Sequence, residues 1–391
     1  MRTALCKGLV ARSAIAVAIT SALAFSSVPA DAAQPSPVQS VKAQVDQQRA
    51  IASYEALQQY LYVPASQLYV APAPTTSNPF AFLWPFTNAM AATDYLAGTP
   101  GGKPYSSDLD ARLGGLLQYQ DASEHTPSGT VQPPAFQSAV APPLGSGGDT
   151  YYDDNAWTSL ELLHQYHLTG SLTDLALAEE SFRFVVTGWS TDRSSPCPGG
   201  VYWVDASWSG DRNTVSNAPN AEVGVQLYEL TGSSYYLAWA NRMYEWVNRC
   251  LAAPNGLYYD HISSAGTINT TEWSYNQGTM IGAGVLLYGV TGKASYLNRA
   301  IRTAQAAVAY YGMGKQLEAQ GPAFNGIYFR NLFLLDQLRP RAAYKHEAEF
   351  YGSYMWSHDR DPSTGLFLPL SAVNATAPMV EIYSLLAGSS P

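Results

Sequence analysis

Two aspartates, Asp153 and Asp154, stand side by side in the stretch TYYDDNAW, between a pair of tyrosines and the start of an apolar run. Neighbouring carboxylates repel, so such a pair persists where it caps a helix or where chemistry uses it. In the first turn of a helix, an aspartate meets free amides and the positive end of the dipole. Two carboxyl groups working without a metal are also the equipment of glycoside hydrolysis. One is ionised to attack or stabilise the anomeric carbon, and the other holds a proton for the leaving oxygen. Mutual repulsion raises one pKa while a helix N-terminus steadies the remaining anion. Adjacent helical residues project about 100° apart, so the two can flank one sugar. A separation of about 5–5.5 Å corresponds to a retaining reaction through a covalent glycosyl-enzyme intermediate.

Other constellations carry less. Aspartate-rich magnesium motifs need a further acid at helical spacing, whereas the next positions are Ala156 and Trp157. Glu161, His164 and His167 lie deeper on the same helix and read first as satisfied groups of a helical wall, second as metal ligands. No Ser-His-Asp or Cys-His elbow is present. The reading calls for no cofactor and no metal.

The elements that position the pair are announced by a repeated turn. YHLTGS places Thr169 and Gly170, YELTGS places Thr231 and Gly232, and YGVTGK places Thr291 and Gly292, at spacings of 62 and 60 residues. Each unit reads as an apolar helix, a stop at the glycine, and a second helix. Weaker copies run from Trp84 to Leu96 with a partner at Ser107–Tyr119, and from Asn325 to Leu338 with a partner through Met355. An early helix at Gln47–Leu61 and a last one ending at Gly388 complete the set. Helices of the first kind, such as TMIGAGVLLYGV, have almost no charged face and read as inner; those of the second kind carry one polar stripe and read as outer. Six inner helices ringed by six outer ones make an all-α (α/α)6 barrel. Strands are confined to short loop segments such as GVYWVD and NGLYYDHI.

Connections from inner to outer helix are short, and those returning are long: roughly residues 121–151, 190–216, 251–274 and 359–373. Long loops in a compact domain usually carry function, and these gather at the end of the barrel where the inner helices begin. Asp153 and Asp154 sit there. Ser216-Asn217 and Asn276-Gln277 read as their counterparts, 15 and 14 residues before the repeat threonines. The chain holds 27 Tyr and 9 Trp, many in these loops, and flat rings with polar rims suit a pyranose. Candidate sugar-binding residues are Trp84, Trp203, Asp205, Asn217, Trp273, Tyr275, Asn276 and Gln277.

Composition narrows the partners. The chain has 391 residues, is 47% hydrophobic and carries a net charge of −9. Arg2, Lys7 and Arg12 precede an apolar run at Ala14–Phe25 and the small residues PADAAQ, the pattern of a secretory signal peptide over residues 1–32. The expected products are a secreted, periplasmic or cell-surface protein and a single catalytic domain over residues 33–391. Without the leader, three bases and one acid are lost and the charge becomes −11, a poor match for nucleic acid or anionic lipid. No later window reads as membrane-spanning. A neutral saccharide and a monomeric state are expected. Cys197 and Cys250 remain, and whether they pair is left open. The sequons at Asn269 and Asn374 matter only in a eukaryotic secretory pathway.

The segments YYDDNAWTSLELLHQYHLTG, SNAPNAEVGVQLYELTG, NGLYYDHI and WSYNQGTMIGAGVLLYGVTG, in that order, resemble glycoside hydrolase family 76, the α-1,6-mannanases. The resemblance implies an (α/α)6 barrel and endo-hydrolysis of α-1,6-linked mannan with retention. It implies Asp153 as nucleophile and Asp154 as general acid/base, with the amides of YNQG, Tyr275–Gly278, helping to line the cleft. A Pro/Gly-rich insertion at residues 124–148 is less typical of the family. Three other readings stay open. A wall transglycosylase of the same family shares the intermediate, although the ending SLLAGSSP offers no anchor signal. A catalytically silent carbohydrate-binding protein would use the same barrel. An uronyl hydrolase would want a cationic recess, for which the loops supply chiefly Arg193 and Arg212.

Overall fold

The computed structural model describes residues 37–121, 133–312, 315–388 and 391. The expected leader at residues 1–32 lies outside them, as do residues 124–132 of the expected insertion. Two units are distinguished, residues 1–40 and 41–391; the described part of the first is residues 37–40, which are helical.

The chain opens with α1 (Pro37–Leu61), α2 (Leu83–Ala97) and the short α3 (Leu109–Leu116). Three helix pairs follow: α4 (Tyr152–Thr169) with α5 (Leu172–Thr187), α6 (Thr214–Thr231) with α7 (Ser234–Cys250), and α8 (Ser274–Thr291) with α9 (Ala294–Tyr311). The four-residue α10 (Lys315–Glu318) precedes α11 (Pro322–Leu338) and α12 (Ala342–His358), and α13 (Val373–Ala387) comes last. Each of α2, α4, α6, α8, α11 and α13 packs on the next, and α13 returns to α2, so the six close a ring. Outside it, α3, α5, α7, α9 and α12 each lie against the inner helix that precedes them. The sixth outer place belongs to α1, through Tyr54 to Thr93 of α2 (3.3 Å) and Arg49 over the ring of Tyr383 in α13 (5.8 Å). The (α/α)6 barrel expected from the sequence is therefore the fold.

Helix polarity explains the layering. Most of α8 is buried, including Ser274, Asn276, Gln277 and Thr279, because its small residues admit neighbours on every side. A Cβ at Gly278 would lie 2.7 Å from the Tyr328 backbone of α11, so the closest approach of these inner helices requires glycine. By contrast α7 and α9 bury one stripe and leave the other in water.

The repeat has a local cause. Gly170, Gly232 and Gly292 adopt φ of 74°, 70° and 67°, the left-handed stop that glycine takes without a Cβ penalty. Each preceding threonine bonds twice. Its hydroxyl donates to the carbonyl four residues back (2.7, 2.6 and 2.5 Å) and accepts the amide two residues on (3.2, 3.2 and 3.3 Å). The threonine thus ends one helix and starts the turn into the next.

Three helix boundaries differ from expectation. The expected helix at Ser107–Tyr119 is α-helical only over Leu109–Leu116, between 3-10 turns at Lys103–Asp108 and Leu117–Tyr119. The helix expected at Gln47–Leu61 begins at Pro37, and the one expected at Asn325 begins at Pro322, a residue suited to a first helical turn. The strands are two-residue pieces in the loops. Arg212–Asn213 pairs antiparallel with His261–Ile262, which pairs with Ile268–Asn269, tying two long loops together at the barrel mouth.

Candidate active site

The inner helices begin around a cleft of about 810 Å³. Asp153 and Asp154, in the first turn of α4, line it together with Tyr151, Trp157, Trp203 and Tyr275. A backbone ladder brings Trp203 there: Tyr152 N–H donates to the Trp203 carbonyl (3.0 Å), Asp205 N–H to Thr150 (2.9 Å) and Trp203 N–H to Asp211 (2.9 Å). The Trp203 indole N–H then reaches Asp153 Oδ2 at 3.1 Å. Its other oxygen, Oδ1, is shielded from water and has no hydrogen-bond partner among the described residues.

The two carboxyls are electrostatically unequal. Burial pushes Asp153 up to about 7, opposed by the Trp203 indole and by the amides of Asp153 and Asp154, with Asp260 adding to the rise. Asp154 is held well above the ordinary carboxylate range, first by burial and then by the charge of Asp153. Asp153 has donors that steady an anion, and that anion in turn holds Asp154 toward its protonated form. An anion beside a protonated acid is the division of labour that two-carboxylate chemistry requires.

Aromatic rings wall the cleft. Trp84 stacks on Phe324 (5.5 Å, 28°), and Tyr275 meets the same ring edge-on at 4.4 Å. Tyr151 and Trp203 also line the cleft, and with Trp208 beside them they form a T-shaped cluster with centroids 5.0 to 6.3 Å apart. Trp208, 58% exposed, anchors its indole N–H on Asp149 Oδ2 at 2.9 Å.

Of the expected binding residues, Trp84, Trp203 and Tyr275 line the cleft; Asp205, Asn217, Trp273, Asn276 and Gln277 do not. Asn217 and Gln277 are fully buried and bond loop backbone. Asn217 accepts from Val201 N–H (2.9 Å) and donates to Val201 O (3.3 Å) and Asn213 O (2.8 Å). Gln277 accepts from Tyr258 N–H (2.8 Å) and donates to Tyr258 O (2.9 Å) and Trp273 O (3.0 Å). Asn155 does the same to Phe136 and Tyr151. All three stand 14 residues before a repeat threonine. The register read from the sequence was off by one: Asp154 aligns with Ser216 and Asn276, and Asp153 with Val215 and Tyr275. Asn276 is wholly buried, with neither amide atom hydrogen-bonded among the described residues, Trp273 packs edge-on against Phe324 at 5.2 Å, and Asp205 lies beside Tyr152.

Sequence reasoning missed several polar residues of the wall, among them Asp211, Asp260 and His261. His261 Nδ1 lies 2.9 Å from Asp260 Oδ2, and Nε2 lies 3.7 Å from Asp211 Oδ2. The bond to Asp260 raises the His261 pKa against the effect of burial. Asp260 and His261 were already in the segment NGLYYDHI, but nothing local says that this loop folds back over α4. Asn374, the second sequon, also lines the cleft, whereas Asn269 is exposed on a loop.

Two turns below the pair lies a buried polar cluster. Arg330 donates to Glu161 at 2.7 Å and lies 3.8 Å from Glu381, and Gln165 donates to Asp94 at 2.9 Å. Ligand atoms of Asp94, Glu161 and His164 come within 4.8 Å of one another. Burial raises both acids and lowers His164 to about 3, favouring neutral forms, and Glu161 is already committed to Arg330. His167 is outside this group. Cys197 and Cys250 form a disulfide. Among the described residues, no helix is long and apolar enough to cross a membrane.

A barrel of this kind with a carboxyl pair at its mouth has counterparts. Residues 132–355 match the family described as Glycosyl hydrolase family 76, and the chain belongs to that family. A mannan endo-1,6-alpha-mannosidase, DCW1 of Saccharomyces cerevisiae, is 29% identical over 185 residues, 42% of this chain. That match spans only 40% of the yeast protein's length. Among solved structures, the family 76 mannosidase Bt3792 of Bacteroides thetaiotaomicron superposes with a TM-score of 0.74 at 21% identity, covering 88% of this chain and 98% of its own. An inactive, doubly Asp-to-Asn variant of the α-1,6-mannanase GH76A of Salegentibacter sp. HEL1_6, in complex with α-1,6-mannotriose, superposes with a TM-score of 0.68 at 22% identity, covering 87% and 99%.

Proposed function

We propose that this chain is a secreted endo-acting glycoside hydrolase that cleaves α-1,6-mannosidic linkages with retention of configuration. The observation that carries the reading is the adjacent carboxyl pair lining one cleft, Asp153 with the Trp203 indole donating to one oxygen and Asp154 raised further by the charge of Asp153. Family membership supports the reaction class. The names of the yeast relative and of the mannotriose complex support α-1,6-mannan as substrate, and the N-terminal charge and apolar pattern supports export.

In the proposed reaction, the Asp153 carboxylate attacks the anomeric carbon while the Trp203 indole steadies its charge. Asp154 gives its proton to the departing glycosidic oxygen, so the C–O bond breaks without releasing an alkoxide. The product is a mannosyl ester on Asp153 and a shortened chain with a new hydroxyl. Asp154, now ionised, takes a proton from water, whose oxygen displaces Asp153 and restores the original configuration. Trp84, Trp203 and Tyr275 offer stacking faces to the sugars.

Linear α-1,6-mannan and branched yeast mannan incubated with the enzyme test this, with product anomers read by NMR. Short α-anomeric products support the reading. Products longer than the input would instead favour chain transfer, and β-anomers would exclude the double displacement.

A further inference from the structure

A second cavity, of about 520 Å³, opens on the outer flank of the loop that joins α5 to α6. Its wall includes Trp189, Trp239, Arg193, Arg242, Arg249 and Asp192. Three guanidinium groups in one hollow are unexpected in a chain of net charge −9. Asp192 is the one carboxylate in the wall of this cavity among the described residues. Arg242 is held over two indoles, its guanidinium carbon 4.8 Å from the Trp239 centroid and 5.1 Å from that of Trp189. These two rings brace each other edge-on at 5.6 Å. Arg249 is fixed by donating to the Pro198 carbonyl at 3.0 Å, one residue from the Cys197–Cys250 disulfide. The single acid, Asp192, spends one oxygen on Ser194, accepting its amide (2.8 Å) and hydroxyl (2.6 Å).

A guanidinium held over indoles, as that of Arg242 is, presents a planar fork that matches an oxyanion, and arginine keeps its charge at any working pH. Three of them against one carboxylate leave a surplus near two positive charges, which suits a phosphate better than a carboxylate. A bare phosphate would fill little of the volume, while the indole faces suit a sugar ring. We infer that this cavity is an accessory site for a phosphorylated glycan, with the arginines on the phosphate and Trp189 or Trp239 on the adjoining sugar. That the glycan is a phosphate-bearing stretch of mannan rests on the proposed function. The cavity's wall is also tied to the catalytic one. Tyr202 donates its amide to Gly188 (2.9 Å) and its hydroxyl to Ser190 (3.1 Å), and the next residue, Trp203, holds Asp153.

The test uses the full chain carrying Asp153→Asn and Asp154→Asn, so that nothing is turned over. Calorimetric titration would compare α-1,6-mannotetraose, the same oligosaccharide bearing one phosphomonoester, and inorganic phosphate. The phosphorylated glycan is expected to bind about 10-fold or more tighter than the neutral one. Adding Arg193→Gln and Arg242→Gln should erase that margin, while a chain that keeps Asp153 and Asp154 and carries only these two changes should retain its thermal midpoint and its turnover of neutral mannan. Equal affinity for phosphorylated and neutral glycans, or a margin that survives both substitutions, would overturn the site. Inorganic phosphate binding as tightly as the phosphorylated glycan would overturn its glycan character. Should the wild-type enzyme fail to cleave neutral α-1,6-mannan, the proposed function falls, but the phosphate margin in binding is judged separately.

Discussion

Replacing Asp153 with asparagine should abolish turnover and stabilise the protein at once. Burial takes this carboxyl from an ordinary value of 3.8 to about 7, so at pH 8 the folded state carries an anion that the unfolded chain solvates better. At about 1.4 kcal/mol per pH unit, the shift sets a ceiling of roughly 4 kcal/mol. Asparagine keeps an acceptor for the Trp203 indole but introduces an NH₂ lacking an acceptor, which leaves a net gain of about 1–3 kcal/mol. With an unfolding entropy of about 2 cal/mol/K per residue, the unit spanning residues 41–391 should melt higher by about 1–4 °C. Between pH 3.8 and about 7 the folded state holds the extra proton, so wild-type stability falls as pH rises through that window and the advantage of Asp153→Asn shrinks as pH is lowered. Turnover of α-1,6-mannan should drop by about 10⁴-fold or more, as for other lost nucleophiles. Scanning calorimetry from pH 4 to 8 and a reducing-sugar assay on the same samples read both effects. A purely helix-capping aspartate has the opposite signature, a loss of about 0.5–2 kcal/mol on substitution. A lower midpoint at pH 8 together with preserved turnover would refute the reasoning.

The wild-type rate should climb as pH rises toward about 7, where Asp153 ionises, and decline again when Asp154 loses its proton; the two limbs belong to the pair as a whole. In Trp203→Phe the indole donor to Asp153 is gone, so the acid limb of kcat/KM should move to higher pH, and activity should fall more at pH 5 than at pH 8. Replacing Cys197 and Cys250 together by serine opens a loop with a sequence separation of 53 and should cost about 4 kcal/mol on chain-entropy grounds, visible as a lower denaturation midpoint. Asn217→Ala strands the Val201 amide and carbonyl and should cost about 1–3 kcal/mol. If Asn217 instead bound sugar, its loss would weaken mannotriose binding with stability unchanged.

The barrel was legible because its signals are local. A threonine followed by glycine encodes a helix stop through bonds made within six residues, and an uninterrupted apolar run encodes an inner helix. The position of Asp153 and Asp154, in a first turn at the barrel mouth, was legible for the same reason. What the chain hid depends on burial and long-range pairing. Asn217 and Gln277 have the chemistry of sugar ligands and the position of sugar ligands to within one residue. That one residue turns the side chain from the cleft toward the loop behind it, so the amide is spent on backbone. Asp211, Asp260 and His261 come from two loops whose union, Arg212–Asn213 against His261–Ile262, is a tertiary pairing with no periodic trace. The residues 71–82 that also line the cleft were likewise silent, being irregular and mixed in polarity.

The buried amides at Asn155, Asn217 and Gln277 have a consequence for how such a molecule can change. Each of α4, α6 and α8 carries its own fastener for the segment that arrives ahead of it, and the fastener grips main chain, indifferent to side-chain identity. Mouth segments can therefore be exchanged, lengthened or redecorated one at a time while the staves beneath keep their places. The barrel behaves as a rack of replaceable fittings, and new substrate preferences can be installed in it without renegotiating the core.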